Sequence, residues 1–361
     1  MRILRPLLGA GGIILAFALG TMAMGDGASA DRGDIRPPAP AGKTEPVYKV
    51  QAGIDGEIYP VFANYASLQR QNERTFGMVA VTIHNPTQTE LRQHVSVIIP
   101  GWSDEEIQIA SVAPGSEQTL LFAPSFLPRF YQNREIIAAT ARVSVSTAAG
   151  ATAYETTIPV RLRSAEDIYW GTDFKYAPFI ASWVTPHDSL VEQMLAEAKA
   201  YAPDHRLPGY EDWKNPEQQE RETYVEAKAI FNAIKDHGFS YVKSSLTLGG
   251  HTNWSERVRM PHASLTQSSA NCIDAVVMYA SLFENLAMEP SVVLVPGHAY
   301  VAVRVAHGSD KLLFIDVAQT GRTTFDLAVA AAESGMARKD PSSVTRINID
   351  EARSVGIYPM P

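Results

Sequence analysis

The chain of 361 residues contains one cysteine. No internal disulfide can form from a single thiol, so any stability must come from packed cores. The chain also lacks a basic block, with 31 Lys and Arg against 39 Asp and Glu and a formal net charge of −8. Such an acidic balance repels phosphate backbones, and nucleic acid is not an expected partner. There is no internal repeat or low-complexity tract. Histidines such as His237, His251 and His262 show no paired ligand spacing, and one cysteine cannot build a thiolate metal site. No Gly-Lys loop is present to cradle a phosphate. No metal or other cofactor is expected.

What is present begins with an export grammar. Arg2 and Arg5 precede an apolar run from Leu7 to about Met24, and Ala28-Ser29-Ala30 stands before Asp31. Residues 1–30 therefore read as a secretory signal cleaved after Ala30. The alternative is an uncleaved membrane anchor, since the run is nearly long enough to span a bilayer. Both readings put the remainder outside the cytoplasm, periplasmic or secreted in the first case and anchored facing outward in the second. A lone thiol in an oxidising compartment is open to mispairing and oxidation, so its retention calls for a reason.

The length accommodates two domains. Residues 31–49, with Pro37-Pro38-Ala39-Pro40, read as a disordered lead. From 50 to 165 the pattern has period two, with strand-like runs at Val79–Ile83, Val95–Ile99, Ile107–Ile109, Thr119–Phe122, Ala139–Val145 and Thr152–Val160. Turn residues separate them, including Asn85-Pro86-Thr87, Pro100-Gly101 and Pro114-Gly115-Ser116. This spacing predicts an antiparallel, immunoglobulin-like β-sandwich without the paired cysteines of antibody domains. The boundary falls between Ser164 and Gly171, and a second, α+β domain occupies 171–361. Helices are predicted from Asp188 to Tyr201 and from about Glu217 to His237, the latter followed by Gly238 as a C′ residue.

Cys272 opens a third helical pattern, in which Ile273, Val276, Val277, Ala280, Phe283 and Leu286 recur at helical spacing and predict one buried face. Asn271 is a suitable N-cap, and Asp274 in the first turn reads as part of the cap rather than as a catalytic acid. The thiol has two readings: a buried apolar cysteine, or a reactive one. A structural cysteine belongs in the middle of the apolar stripe, whereas a helix N-terminus stabilises a thiolate and offers free N–H groups to an oxyanion. Position favours the reactive reading.

Two strands follow. Pro296-Gly297 turns Ser291–Val295 into a run starting at His298, and after His307-Gly308-Ser309-Asp310 comes Leu312–Val317, which contains Asp316. Whether His298 and Asp316 share a face depends on hairpin register, because a slip of one residue flips every side chain. Pairing Val305 with Lys311, or Ala306 with Asp310, brings them together. Pairing Ala306 with Ser309 separates them. The expectation is an odd-length connection. Each residue alone has an ordinary alternative, a polar strand mouth for His298 and a strand-end cap for Asp316.

Asn271-Cys272-Ile273-Asp274, Gly297-His298-Ala299-Tyr300 and Phe314-Ile315-Asp316 together resemble the core of the transglutaminase-like superfamily of papain-like cysteine enzymes. The resemblance covers roughly residues 217–320. It implies a Cys272 nucleophile, a His298 base and an Asp316 orienter acting on an amide or peptide bond through a thioester, which water or an amine then resolves. Protein or peptide substrates are implied, with hydrolysis expected over crosslinking. Two positions differ from many family members: Ala270 stands where glycine is common, and Tyr300 where tryptophan is common, which makes Tyr300 a subsite candidate. Gln267, Asn271 and Trp254 are candidates for the second oxyanion donor, and the stretch Asn253 to Met260 for a cleft wall. The competing reading is a non-catalytic cell-envelope scaffold, with the β-sandwich contacting envelope components.

Overall fold

The computed structural model describes residues 45–210, 215–242 and 255–361. Residues 1–30, most of the proline-rich lead, His251 and Trp254 lie outside the described residues. The chain is mixed α and β and divides into two compact units, with the main boundary between Arg163 and Ser164. The short pieces Tyr59–Val61 and Tyr131–Arg134 group with the second unit. No helix among the described residues is long and apolar enough to cross a membrane.

In the first unit the strands are β1 (Val47–Ala52), β2 (Glu57–Ile58), β3 (Val79–His84), β4 (Leu91–Ile98), β5 (Glu106–Val112), β6 (Glu117–Phe122), β7 (Ile137–Thr147) and β8 (Thr152–Leu162). Two short helices, α1 (Pro60–Ser67) and α2 (Pro128–Tyr131), interrupt the strand succession, and the period-two reading passed over both. One sheet has the order β1-β3-β6, the other β2-β8-β7-β4-β5. Val81, Ile83, Val95, Val97, Val143 and Val145 are fully buried, as alternation on a half-covered sheet requires.

Two sequence expectations for this unit need correction. The lead does not extend to residue 49, because β1 starts at Val47 and pairs with β3 from Val47 opposite His84 onward. Its period-two signal is short and sits beside proline-rich sequence. The run Ile107–Ile109 faces the unexpected way: both isoleucines are exposed, while Gln108, Ala110 and Val112 point inward. Gln108 is accommodated because its amide donates to Glu106 Oε1 at 3.0 Å and to the Leu121 carbonyl at 2.8 Å.

The second unit contains β9 (Asp167–Tyr169), β10 (Ser240–Tyr241), β11 (Ser255–Arg257), β12 (Ser269–Ala270), β13 (Pro290–Val295), β14 (His298–Arg304), β15 (Leu312–Ile315) and β16 (Thr345–Asn348). Its helices are α3 (Ser189–Ala198), α4 (Pro216–Asp236), α5 (Pro261–Thr266), α6 (Cys272–Asn285), α7 (Phe325–Ala337) and α8 (Ile349–Ser354). The organising element is the antiparallel sheet β15-β14-β13-β16. The core therefore runs past Thr320, since β16 closes one edge and α7 packs on the sheet. Ala332 of α7 joins Val293, Val295, Tyr300 and Ala302 in one buried cluster.

Helix α6 lies against β13 and β14. Its spacing predicts one buried face, yet every residue from Cys272 to Phe283 is buried. The polar members are tolerated because each finds a partner. Tyr279 Oη meets Thr320 Oγ1 at 2.9 Å, and Ser281 Oγ donates to the Val277 carbonyl at 2.8 Å while accepting the Thr185 N–H at 2.9 Å. Helix α4 contributes Ala227, Ile230, Phe231 and Ile234 to the same interior, with Phe231 edge-on to Phe325.

Candidate active site

Local sequence fixes where α6 starts. Asn271 Oδ1 accepts the Asp274 N–H at 2.8 Å, and Asp274 Oδ2 reaches back to the Asn271 N–H at 3.5 Å, a capping box. Asp274 Oδ1 also accepts the Arg259 N–H at 2.8 Å. Burial raises the Asp274 pKa, against the opposing pull of Arg259 and the Asn271 N–H. Asp274 is thus committed to the cap. Cys272 is the first helical residue, and its N–H and that of Ile273 have no hydrogen-bond partner among the described residues. These groups carry the positive end of the helix dipole.

The Pro296-Gly297 turn aligns β13 with β14, pairing Val295 with His298, and Gly297 takes the positive φ of 77° that a tight turn of this kind demands. In the next hairpin Arg304 lies opposite Leu312 and Val301 opposite Ile315. The Val305 N–H then donates to the Lys311 carbonyl at 3.1 Å. This is the register that puts His298 and Asp316 on one face as diagonal neighbours. His298 Nε2 stands 3.0 Å from Asp316 Oδ1. The second carboxylate oxygen accepts from Gln319 Nε2 at 3.3 Å, and the Asp316 backbone N–H is tied to the Ala328 carbonyl at 3.2 Å.

Burial alone would lower the His298 pKa. The bonded Asp316 carboxylate, and after it the neighbouring Cys272, outweigh it and raise the value to about 9. The imidazole consequently keeps its proton at neutral pH. With Nε2 occupied by the carboxylate, Nδ1 is the nitrogen left for the sulfur. Cys272 and His298 line one cleft of about 350 Å³ whose walls include Trp170, Phe174, Glu256, Leu294 and Thr345.

The other sequence candidates fall elsewhere. Asn271 is 2 % exposed and spends its side-chain oxygen on the cap. Gln267 is exposed at the end of α5 and does not line the cleft. Trp254 is outside the described residues. Tyr300 is not a cleft residue either: it is buried in the cluster with α7, and its ring meets His298 edge-on at 4.7 Å and 88°. It buttresses the imidazole instead. Of the stretch 253–260, Glu256 lines the cleft. Sequence reasoning missed Gln319, which its place three residues after Asp316 could have revealed. It also missed the pairing of Glu256 with Trp170, which no local spacing encodes.

Among the described residues, no group of three or more His, Cys, Asp or Glu side chains is placed to hold a metal ion. No protein-family model and no curated protein sequence matches the chain.

Proposed function

We propose that the protein is an exported, transglutaminase-like cysteine enzyme that cleaves an amide or peptide bond in a protein or peptide. The first unit fits an immunoglobulin-like sandwich and the second a papain-like domain. The observation that carries the reading is the pairing of the Asp316 carboxylate with the His298 imidazole at 3.0 Å, on one cleft with the only thiol, which opens helix α6.

The chemistry follows from the arrangement of these groups. The Cys272 thiolate attacks the substrate carbonyl carbon, and the oxyanion that forms is met by the unpaired N–H groups at the start of α6. His298, protonated at neutral pH, gives its proton to the departing amine, leaving a thioester on Cys272. Water then adds to the thioester while His298 takes its proton. Collapse expels the sulfur and releases the carboxylic acid. Asp316 holds the imidazole orientation and offsets its charge throughout.

A second reading, a binding module of the cell envelope, has one observation in its favour. Ile107 and Ile109 are 57 % and 53 % exposed on β5, an edge strand. The two readings are separated by incubating envelope extracts with the wild type and with Cys272→Ala, scoring both low-mass cleavage products and high-mass crosslinks. New low-mass products with the wild type alone support hydrolysis. High-mass species support transfer, and no difference between the two proteins supports the binding module.

A further inference from the structure

The cleft beside Cys272 holds a carboxylate that this chemistry does not use. Glu256 lies in the middle of β11, opposite Ile168 of β9, and is 9 % exposed. Its Oε2 accepts the indole N–H of Trp170 at 3.1 Å. No cation among the described residues completes it. Arg257, its neighbour on the strand, is directed at Glu166 and Asp167, at 3.7 and 3.9 Å, and Arg259 stands 3.9 Å from Asp274. Burial pushes the Glu256 carboxyl up to about 7, with the Trp170 bond working against this and the Asp274 charge adding to it. A buried carboxylate without a counter-charge is costly to keep ionised until a cation arrives.

The surroundings fit such a cation. Trp170 and Phe174 both line the cleft, their ring centroids 5.8 Å apart at 54°. Phe174 is held there by an unusual backbone, since Asp173 and Phe174 have φ of 54° and 55°, where a bulky side chain is rarely found. Strain of this kind clusters at ligand sites. A carboxylate beside aromatic rings is the chemistry that recognises an ammonium group, and Leu294, Val295 and Pro296 provide an apolar wall for a hydrocarbon stem.

We infer that the cleft selects substrates carrying a primary ammonium group on a short hydrocarbon stem, held by Glu256 beside the rings of Trp170 and Phe174. The inference rests on the reading of Cys272 as a reactive thiol facing this cleft, and the test separates the two. The full chain is treated with 2-aminoethyl methanethiosulfonate and with the uncharged ethyl reagent, each rate at Cys272 being divided by that of a free thiol. The expected result is a preference for the aminoethyl reagent of about tenfold or more in the wild type, reduced to near unity in Glu256→Gln. Gln keeps an acceptor for Trp170, so the fold is expected to persist. Should near-UV circular dichroism show otherwise, Phe174→Ala is read instead, with a several-fold loss of the preference expected. An unchanged preference in the folded variant, or equal normalised rates in the wild type, overturns the inference. A Cys272 inert to both reagents overturns it together with the reading of the thiol.

Discussion

Both units close buried polar side chains inward, and the second also sets polar groups on a cleft wall. In the first, Asn85 is fully buried and its bonding capacity is consumed: Nδ2 donates to the carbonyls of Thr89 and Val112 at 2.8 and 2.9 Å, and Oδ1 accepts from Thr87 N–H and Oγ1 at 3.0 and 2.7 Å. Glu57 is similarly closed by Arg161 and Arg163, at 2.9 and 3.4 Å. In the second, Cys272, His298 and Glu256 line a cleft and retain capacity toward it. A buried polar group whose bonds all close inward fastens the fold, whereas one that keeps capacity at a cleft wall is available to a ligand. Substitutions in the two sets should therefore separate stability from reactivity.

The largest effect is expected from Cys272→Ala. It should abolish turnover of any amide substrate, a loss of at least about 10³-fold in kcat/KM, with little change in the denaturation midpoint. Next comes Asp316→Asn, which should cost about 10² to 10⁴ in kcat. Because Asp316 raises the His298 pKa, the same variant should also move the alkaline limb of the pH profile downward. In the wild type that limb should lie near pH 9, where the imidazolium needed by the departing amine is lost.

The His298 shift also has a stability consequence. Its folded pKa of about 9 lies above the ordinary histidine value of 6.5, so its contribution is complete below about pH 6.5 and is lost as pH rises through 9. Urea midpoints measured between pH 6 and 10 should fall over this window in the wild type, and less so in His298→Ala.

The converse prediction concerns the first unit. Asn85→Ala strands the buried Val112 carbonyl and should cost about 1–3 kcal/mol, read from urea denaturation, while the alkylation rate of Cys272 in the folded protein stays unchanged. The smallest effect joins packing to reactivity. A Cβ at Gly335 would collide with the Tyr300 hydroxyl, so Gly335→Ala should cost about 1–3 kcal/mol and slow Cys272 alkylation several-fold by shifting the ring that abuts His298. Tyr300→Phe in that background should restore part of both.

How much of this could be read from the sequence depended on the range of the determining interactions. The start of α6 was legible because capping is local: Asn271 and Asp274 are three residues apart and carry the signal themselves. The meeting of His298 with Asp316 reduced to one question of register, since a short hairpin allows few alternatives. Tyr300 was misread as a subsite because the sequence does not say that α7, more than twenty residues later, covers that part of β14. Gln108 takes an inward position of the alternating strand, in place of the isoleucines beside it, because its partners, Glu106 and the Leu121 carbonyl, include one on another strand. The all-round burial of α6 depended on Thr185 and Thr320, far from it in the chain. The Trp170–Glu256 bond joins residues on β11 and next to β9, and only folding brings them together.

The central claim, a thiol activated by the His298 imidazole, is tested most directly by iodoacetamide labelling of Cys272 at pH 7 in the folded wild type and in His298→Ala. The expected result is rapid labelling of the wild type, at least about tenfold faster than a free cysteine, and a drop of similar size in the variant. A wild-type thiol that resists labelling, or one that reacts equally fast without His298, would contradict it.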